Sequence, residues 1–202
     1  MIRGLINAEP HLPLADGGRI RIDEARPPAV GEPDWSLKIV RESDTREILW
    51  ARWVEGMAGD PTSGHNRSDQ NDYRGLFWEP AGLVVLAGAS RVLGLDWVTG
   101  DVVISEPLVL TASSLDLLEI VESSDGEWLM AISTRRVVGL DGEPACRWSW
   151  EPEGLLAAPI RVLATSVSLT ELDTGDPALR SVAREIRFAS GVFSTGGETP
   201  NH

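Results

Sequence analysis

Three histidines, one cysteine and 31 acidic side chains are foremost among the groups in this 202-residue chain that could hold a metal, attack an electrophile or move a proton. His11, His65 and His202 are not spaced for one helix face, nor does any of them share a helix face with a paired carboxylate, so metal catalysis finds no support. Cys146 stands alone, which excludes an intrachain disulfide and a four-thiolate zinc site and leaves a small buried residue. A G-x-S-x-G elbow, a phosphate-cradling G-x-x-x-x-G-K and a G-x-G-x-x-G turn are all missing. The acids allow many carboxylate pairs for general acid and base work, but no spacing selects one. The expectation is no catalytic residue, no metal and no cofactor, with most acids on a solvated face.

Binding chemistry has better candidates. Residues 59–74 (GDPTSGHNRSDQNDYR) form the longest polar gap between periodic segments. Asp69, Asn71 and Asp72 hint at a calcium loop, yet the sharp-turn position is Arg74 and the twelfth is Pro80 in place of a bidentate glutamate, so the template fails. His65, Arg67, Asp69, Tyr73 and Arg74 nevertheless combine aromatic, hydrogen-bonding and charged groups as a contact loop does; the alternative is an exposed connection. Of eight tryptophans, most lie in or beside expected strands and serve packing. Trp97 falls in a turn, which makes it either an exposed aromatic anchor for a partner or a lid folded back on the sheet.

The elements that would position these groups are strands. Residues 19–23 and 35–40 alternate polar and apolar with period two, and residues 82–87 (GLVVLA) have the length of a buried strand. Residues 46–57 fit two readings. Trp50, Trp53, Val54 and Met57 have helical spacing, but the aromatic and β-branched content and an available neighbour favour a strand. Asp176-Pro177 is a helix opener, and Leu179, Val182, Ala183 and Ile186 follow on one face with Arg184 and Arg187 in the last turn. A helix over 177–188 is expected, then a flexible tail over 191–202.

A repeat organises the middle of the chain. Residues 91–96 (RVLGLD) recur 45 positions later as 136–141 (RVVGLD), each after an apolar strand and each followed by a glycine-containing turn. A weaker copy opens at Gly154-Leu155, matching Gly75-Leu76, and ends on Leu172-Asp173, which echoes Leu95-Asp96.

Over residues 75–176 this pattern resembles the blades of β-propellers of the Trp-Asp and quinoprotein-like type. The resemblance implies a rigid scaffold and carries no ligand, since no quinone-binding motif can be matched. The fold expected is mainly β: antiparallel sheets from repeats of about 45 residues, propeller-like or as an open or stacked array, with one short C-terminal helix. It forms a single domain over 1–190, with units near 19–57, 75–110, 115–152 and 154–188.

Composition bounds the function. A formal charge of −13 opposes a nucleic-acid grip, which needs a field of Lys and Arg. No apolar run is long enough for a signal sequence or a membrane span, so a cytoplasmic location is expected. The leading reading is a non-enzymatic protein-interaction module. Its rivals are an acidic inhibitor or immunity-type protein that masks a basic toxin or enzyme, and a small hydrolase using a carboxylate pair. A protein partner is expected, basic under the inhibitor reading, and self-association would cover unpaired strand edges.

Overall fold

The computed structural model describes residues 11–26, 35–58, 74–88, 91–108, 117–143, 146–175, 180–191 and 193–195. These fall into two compact units, divided between Pro107 and Leu108. The fold is mainly β, built from four antiparallel sheets of four strands in which each strand pairs with its neighbours in sequence. The first unit holds β1 (His11–Pro13), β2 (Arg19–Arg26), β3 (Trp35–Glu42) and β4 (Ile48–Ala58), followed by β5 (Arg74–Trp78), β6 (Leu83–Ala87), β7 (Arg91–Asp96) and β8 (Val102–Pro107). The second holds β9 (Leu118–Glu122), β10 (Trp128–Ser133), β11 (Val137–Asp141) and β12 (Cys146–Trp150), then β13 (Leu155–Val162), β14 (Ser166–Leu172), β15 (Ser181–Arg187) and β16 (Phe193–Thr195). These four-stranded meanders match the antiparallel sheets expected from the repeat.

Within each unit, period-two alternation builds a core between two sheets. Leu37 and Ile39 of β3, Val84 and Leu86 of β6, and Leu93 and Leu95 of β7 share one buried cluster. In the second unit Met130 and Ile132 of β10 meet Val167 and Leu169 of β14 and Ile186 of β15. The β6 strand is buried at all five positions, which explains its unbroken apolar sequence: a central strand with both faces covered has no polar side to show.

The repeat is structural as well as sequential. Leu76 pairs with Val85 and Val85 with Gly94, while the residues 45 positions on pair in the same way, Val121 with Met130 and Met130 with Gly139. Leu93, Leu95, Val138 and Leu140 are all buried at these equivalent places. The fourth strands carry the same irregularity. Gly94 faces Ile104 but Leu95 faces Val102; Gly139 faces Trp148 but Leu140 faces Cys146. One extra residue, Val103 or Arg147, is thus squeezed into the outer strand as a β-bulge. The first sheet repeats the device without the sequence signature, since Arg41 faces Trp50 and Glu42 faces Ile48, leaving Leu49 over.

The shared glycine has a steric cause. A Cβ on Gly94 would lie 3.0 Å from Ile104, and one on Gly139 would lie 2.1 Å from the Trp148 ring. In each case the side chain opposite on the outer strand covers the glycine, which has no side chain of its own to offer.

Residues 46–57 resolve in favour of the strand, as β4 pairs with β3 along its length. The C-terminal helix is a correction. Ser181–Arg187 is a strand that pairs with β14 at seven positions, from Ser166 with Arg187 to Leu172 with Ser181. Val182, Arg184 and Ile186 also alternate, so the segment satisfies both periods. A lone helix of about a dozen residues is marginal, whereas an unpaired β14 edge offers a full ladder of hydrogen bonds, and the edge wins. The proposed cap at Asp176-Pro177 lies outside the described residues. Phe193–Thr195, expected within the tail, pairs with β15 as the fourth strand. Leu172-Asp173 ends a second strand whereas Leu95-Asp96 ends a third, so that part of the weak copy is convergence.

Gly139→Ala is expected to destabilise the protein by about 1–3 kcal/mol, since the Trp148 ring must leave its place, and Gly94→Ala by less, because the Ile104 side chain can yield. Urea unfolding of the two variants beside wild type checks the order; equal, negligible losses would contradict the covering role given to Trp148.

Candidate functional site

Arg74 and Trp97 are the only members of the expected binding set among the described residues. His65, Arg67, Asp69 and Tyr73 lie outside them. Arg74 opens β5 and is half-buried. Trp97 follows β7 in the turn where the sequence puts it, with its ring partly buried against the core of the first unit.

The turn is built by Asp96. Its Oδ1 accepts from the backbone N–H of Val98 at 2.9 Å and of Thr99 at 2.8 Å, an Asx turn closed by the Gly100 N–H donating to the Asp96 carbonyl. Gly100 adopts φ +74°, which a side chain resists. A Cβ there would also meet the Trp50 ring at 2.6 Å. The glycine therefore serves twice, by turning the chain and by letting a tryptophan from β4 lie against its backbone.

Trp97 is consequently a junction. Its N–H donates to the Gly82 carbonyl at 3.1 Å, and its ring sits 5.4 Å from that of Phe77, tilted by 49°. Its carbonyl accepts from Trp50 Nε1 at 3.1 Å and from Arg41 Nη1 at 2.7 Å. The Arg41 guanidinium stacks 4.4 Å from the Trp97 ring centre, a cation–π contact, while Nη2 donates to Asp16 Oδ2 at 2.6 Å. Arg41 is buried at a core-facing position of β3, in line with Leu37 and Ile39. Burial works against ionisation of the Asp16 carboxyl, but the Gly18 N–H and Arg41 outweigh it and hold Asp16 below the ordinary range.

The second unit contains the same joint. Trp148 Nε1 donates to the Phe188 carbonyl at 2.7 Å, and three residues on, Gly191 at φ +61° lies under the Trp148 ring, its Cβ position 2.8 Å away. In both units a tryptophan on the fourth strand of one sheet is gripped by the last turn of the next. The second copy has Phe188 where the first has Trp97.

Around the other face of β3 the charges are absorbed among themselves. Glu42 is buried, with Arg21 Nε on Oε1 and Arg19 Nε on Oε2, each at 2.6 Å. Arg21 and then Arg19 hold the Glu42 carboxyl below its usual range. Lys38 Nζ, 2.8 Å from Asp23, and Arg21 do the same for Asp23. In the second unit Glu171 is buried between the Gly154 N–H at 2.7 Å and Arg184 Nε at 2.6 Å. Among the described residues, every acid whose pKa departs from its ordinary value is lowered, which suits a fixed anion and not a proton donor. No group of three or more His, Cys, Asp or Glu among them is placed to hold a metal. None of their helices is long and apolar enough to cross a membrane.

No family model matches the chain, and no curated protein matches it. Among solved structures it is similar to BamB from Moraxella catarrhalis, at 12% identity and a TM-score of 0.47 over 91% of this chain and 62% of that one. It is also similar to a protein of unknown function from Bacteroides caccae, at 11% identity and a TM-score of 0.34 over 84% of this chain and 59% of that one. The chain thus spans less than two thirds of the length of either.

Arg41, Asp16 and Trp50 are the junction residues that the sequence does not single out. One signal was present: an arginine at the third position of the alternating row Leu37, Ile39, Arg41, where a core residue is due.

Trp50→Phe removes the indole N–H and shortens the bicyclic ring that lies on Gly100, so a loss of about 1–3 kcal/mol is expected from the missing bond to the Trp97 carbonyl and the space left behind. Thermal and urea unfolding measure it, and a neutral result would mean that neither the bond nor the indole packing holds the joint. For Glu42, whose folded pKa is depressed, the stabilisation is present above the unfolded pKa and lost as pH falls through the folded value. The stability gap between wild type and Glu42→Gln is therefore expected to be wide at neutral pH and to narrow as pH falls below the ordinary carboxylate range. A gap unchanged with pH would show that the ionised carboxylate contributes nothing.

Proposed function

We propose that the protein is a non-enzymatic interaction module that binds another protein. The observation that carries this reading is the fate of its chemistry-bearing groups. The buried carboxylates are consumed by arginines, Glu42 by Arg19 and Arg21 and Glu171 by Arg184. A general acid needs the opposite environment, one that raises its pKa beside an open cleft. What the fold supplies instead is a rigid set of short turns on paired sheets, stiffened by indole-to-carbonyl joints, and such turns are natural contact surfaces. We read the four sheets as propeller-like blades and keep the location as cytoplasmic.

The charge of −13 favours a basic partner, because complementary fields steer encounter and raise the association rate. This makes an acidic inhibitor of a basic protein the more specific form of the same reading. Proximity labelling followed by reconstitution with the purified candidate is the test. The expected result is a stoichiometric complex whose association slows as salt is raised. A hydrolytic activity that co-purifies with the protein and disappears on one carboxylate-to-amide substitution would move the assignment to the carboxylate-pair enzyme.

A further inference from the structure

We infer that the outer edge of the first unit, where β4 meets the turn between β7 and β8, docks a basic protein segment that bears apolar side chains; this rests on the interaction-module reading. Ile48, Leu49, Val98, Val102 and Val103 are between 42% and 61% exposed. They flank one joint. Trp50 lies on Gly100, and Arg52 reaches across to the Thr99 carbonyl at 3.1 Å and Asp101 at 3.5 Å. Ile48 and Leu49 immediately precede Trp50, Val98 sits inside the turn, and Val102 and Val103 leave it. Large exposed apolar side chains on the two chain segments that meet at one joint mark a contact surface.

The bulges explain how they come to be exposed. At each one, two residues of the outer strand oppose a single residue of its partner, so Leu49 and Val103 are freed from the regular alternation and join Ile48 and Val102 at the rim. The same irregularity interrupts the ladder, which disfavours addition of a further strand and leaves side-chain contact as the mode of docking. The second unit provides an internal control. Its equivalent pair is Cys146 and Arg147, and Arg147 is tied to Asp141 at 2.5 Å and to Glu143. The same backbone device carries no exposed apolar pair there, so the apolar rim is a property of the first unit's sequence and not of the fold.

Charge selects the occupant. Residues 43–55 and 96–106 contain six acidic side chains against two arginines, one of which is already paired with Asp101. A second copy of this chain would bring the same acidic rim and be repelled, whereas a segment with apolar residues between lysines or arginines satisfies both parts of the surface.

The probe is a short synthetic peptide alternating leucine and lysine, with a serine–lysine peptide of equal charge as control. Binding is measured by calorimetry and mapped by amide chemical shifts on the full chain. Leu49→Ser with Val103→Ser is neutral in charge and changes exposed side chains only. It is expected to weaken the leucine–lysine peptide by about tenfold or more. Val162→Ser with Leu163→Ser, at equally exposed apolar positions of the second unit, should leave binding unchanged. Shifts are expected around residues 48–52 and 98–103. The inference is overturned if the serine–lysine peptide binds as well, if the first double variant binds like wild type, or if shifts map elsewhere. It is also overturned if sedimentation shows self-association that this variant abolishes, which would make a second copy the occupant. Peptide binding elsewhere leaves the interaction-module reading standing; failure of the reconstitution with a protein partner removes that reading independently.

Discussion

One carbonyl oxygen, that of Trp97, receives two donors from the neighbouring sheet, the indole of Trp50 and the guanidinium of Arg41. Both come from opposing residues of β3 and β4, so the acceptor fixes the position of two strands at once. Its placement depends on the Asp96 turn and on Gly100, which alone among the natural residues bends the chain there without a clash against the Trp50 ring. The hydrogen bonds are individually modest, yet they satisfy groups that burial would otherwise penalise, and the charged donor raises the stakes. Packing of Leu37, Ile39, Leu93 and Leu95 is the larger energy. The carbonyl decides the register in which that packing occurs.

Much of this was legible in the sequence, for identifiable reasons. Period-two alternation marks β2 and β3 because one face is apolar, and the continuous run at β6 marks a strand covered on both faces. The R-V-x-G-L-D repeat is visible because its glycine is required wherever an outer-strand side chain lies flat against the third strand. Arg46, at φ +71°, ends the equivalent turn of the first sheet, and Arg41 and Glu42 replace the Gly-Leu pair, so that sheet keeps the bulge while losing the signature. The segment at β15 was misread because Val182 and Ile186 fit either period, and only the open edge of β14 decides between them. Local sequence cannot report an unpaired edge.

The junction was less legible still. Trp97 was singled out by its turn, but what it does is set by Arg41, Trp50 and Asp16, which lie far away along the chain. Its carbonyl carries the essential contacts, and a backbone atom leaves no mark on side-chain patterning. Pairing of buried acids was equally hidden: 31 carboxylates permit many partners, and only the fold shows that Arg19 and Arg21 converge on Glu42.

The direction of the joint has a consequence for synthesis. The donor in each unit belongs to the earlier sheet and the acceptor to the later one, 47 residues on in the first unit and 40 in the second. A nascent chain that has just completed β4 therefore carries an indole N–H with nothing to bond, and a guanidinium that has Asp16 but not yet the Trp97 carbonyl. Both must wait for the turn after β7 before the joint is complete. The sheets consequently mature in pairs, the earlier one staying open to solvent, chaperones or proteases until its successor has left the ribosome.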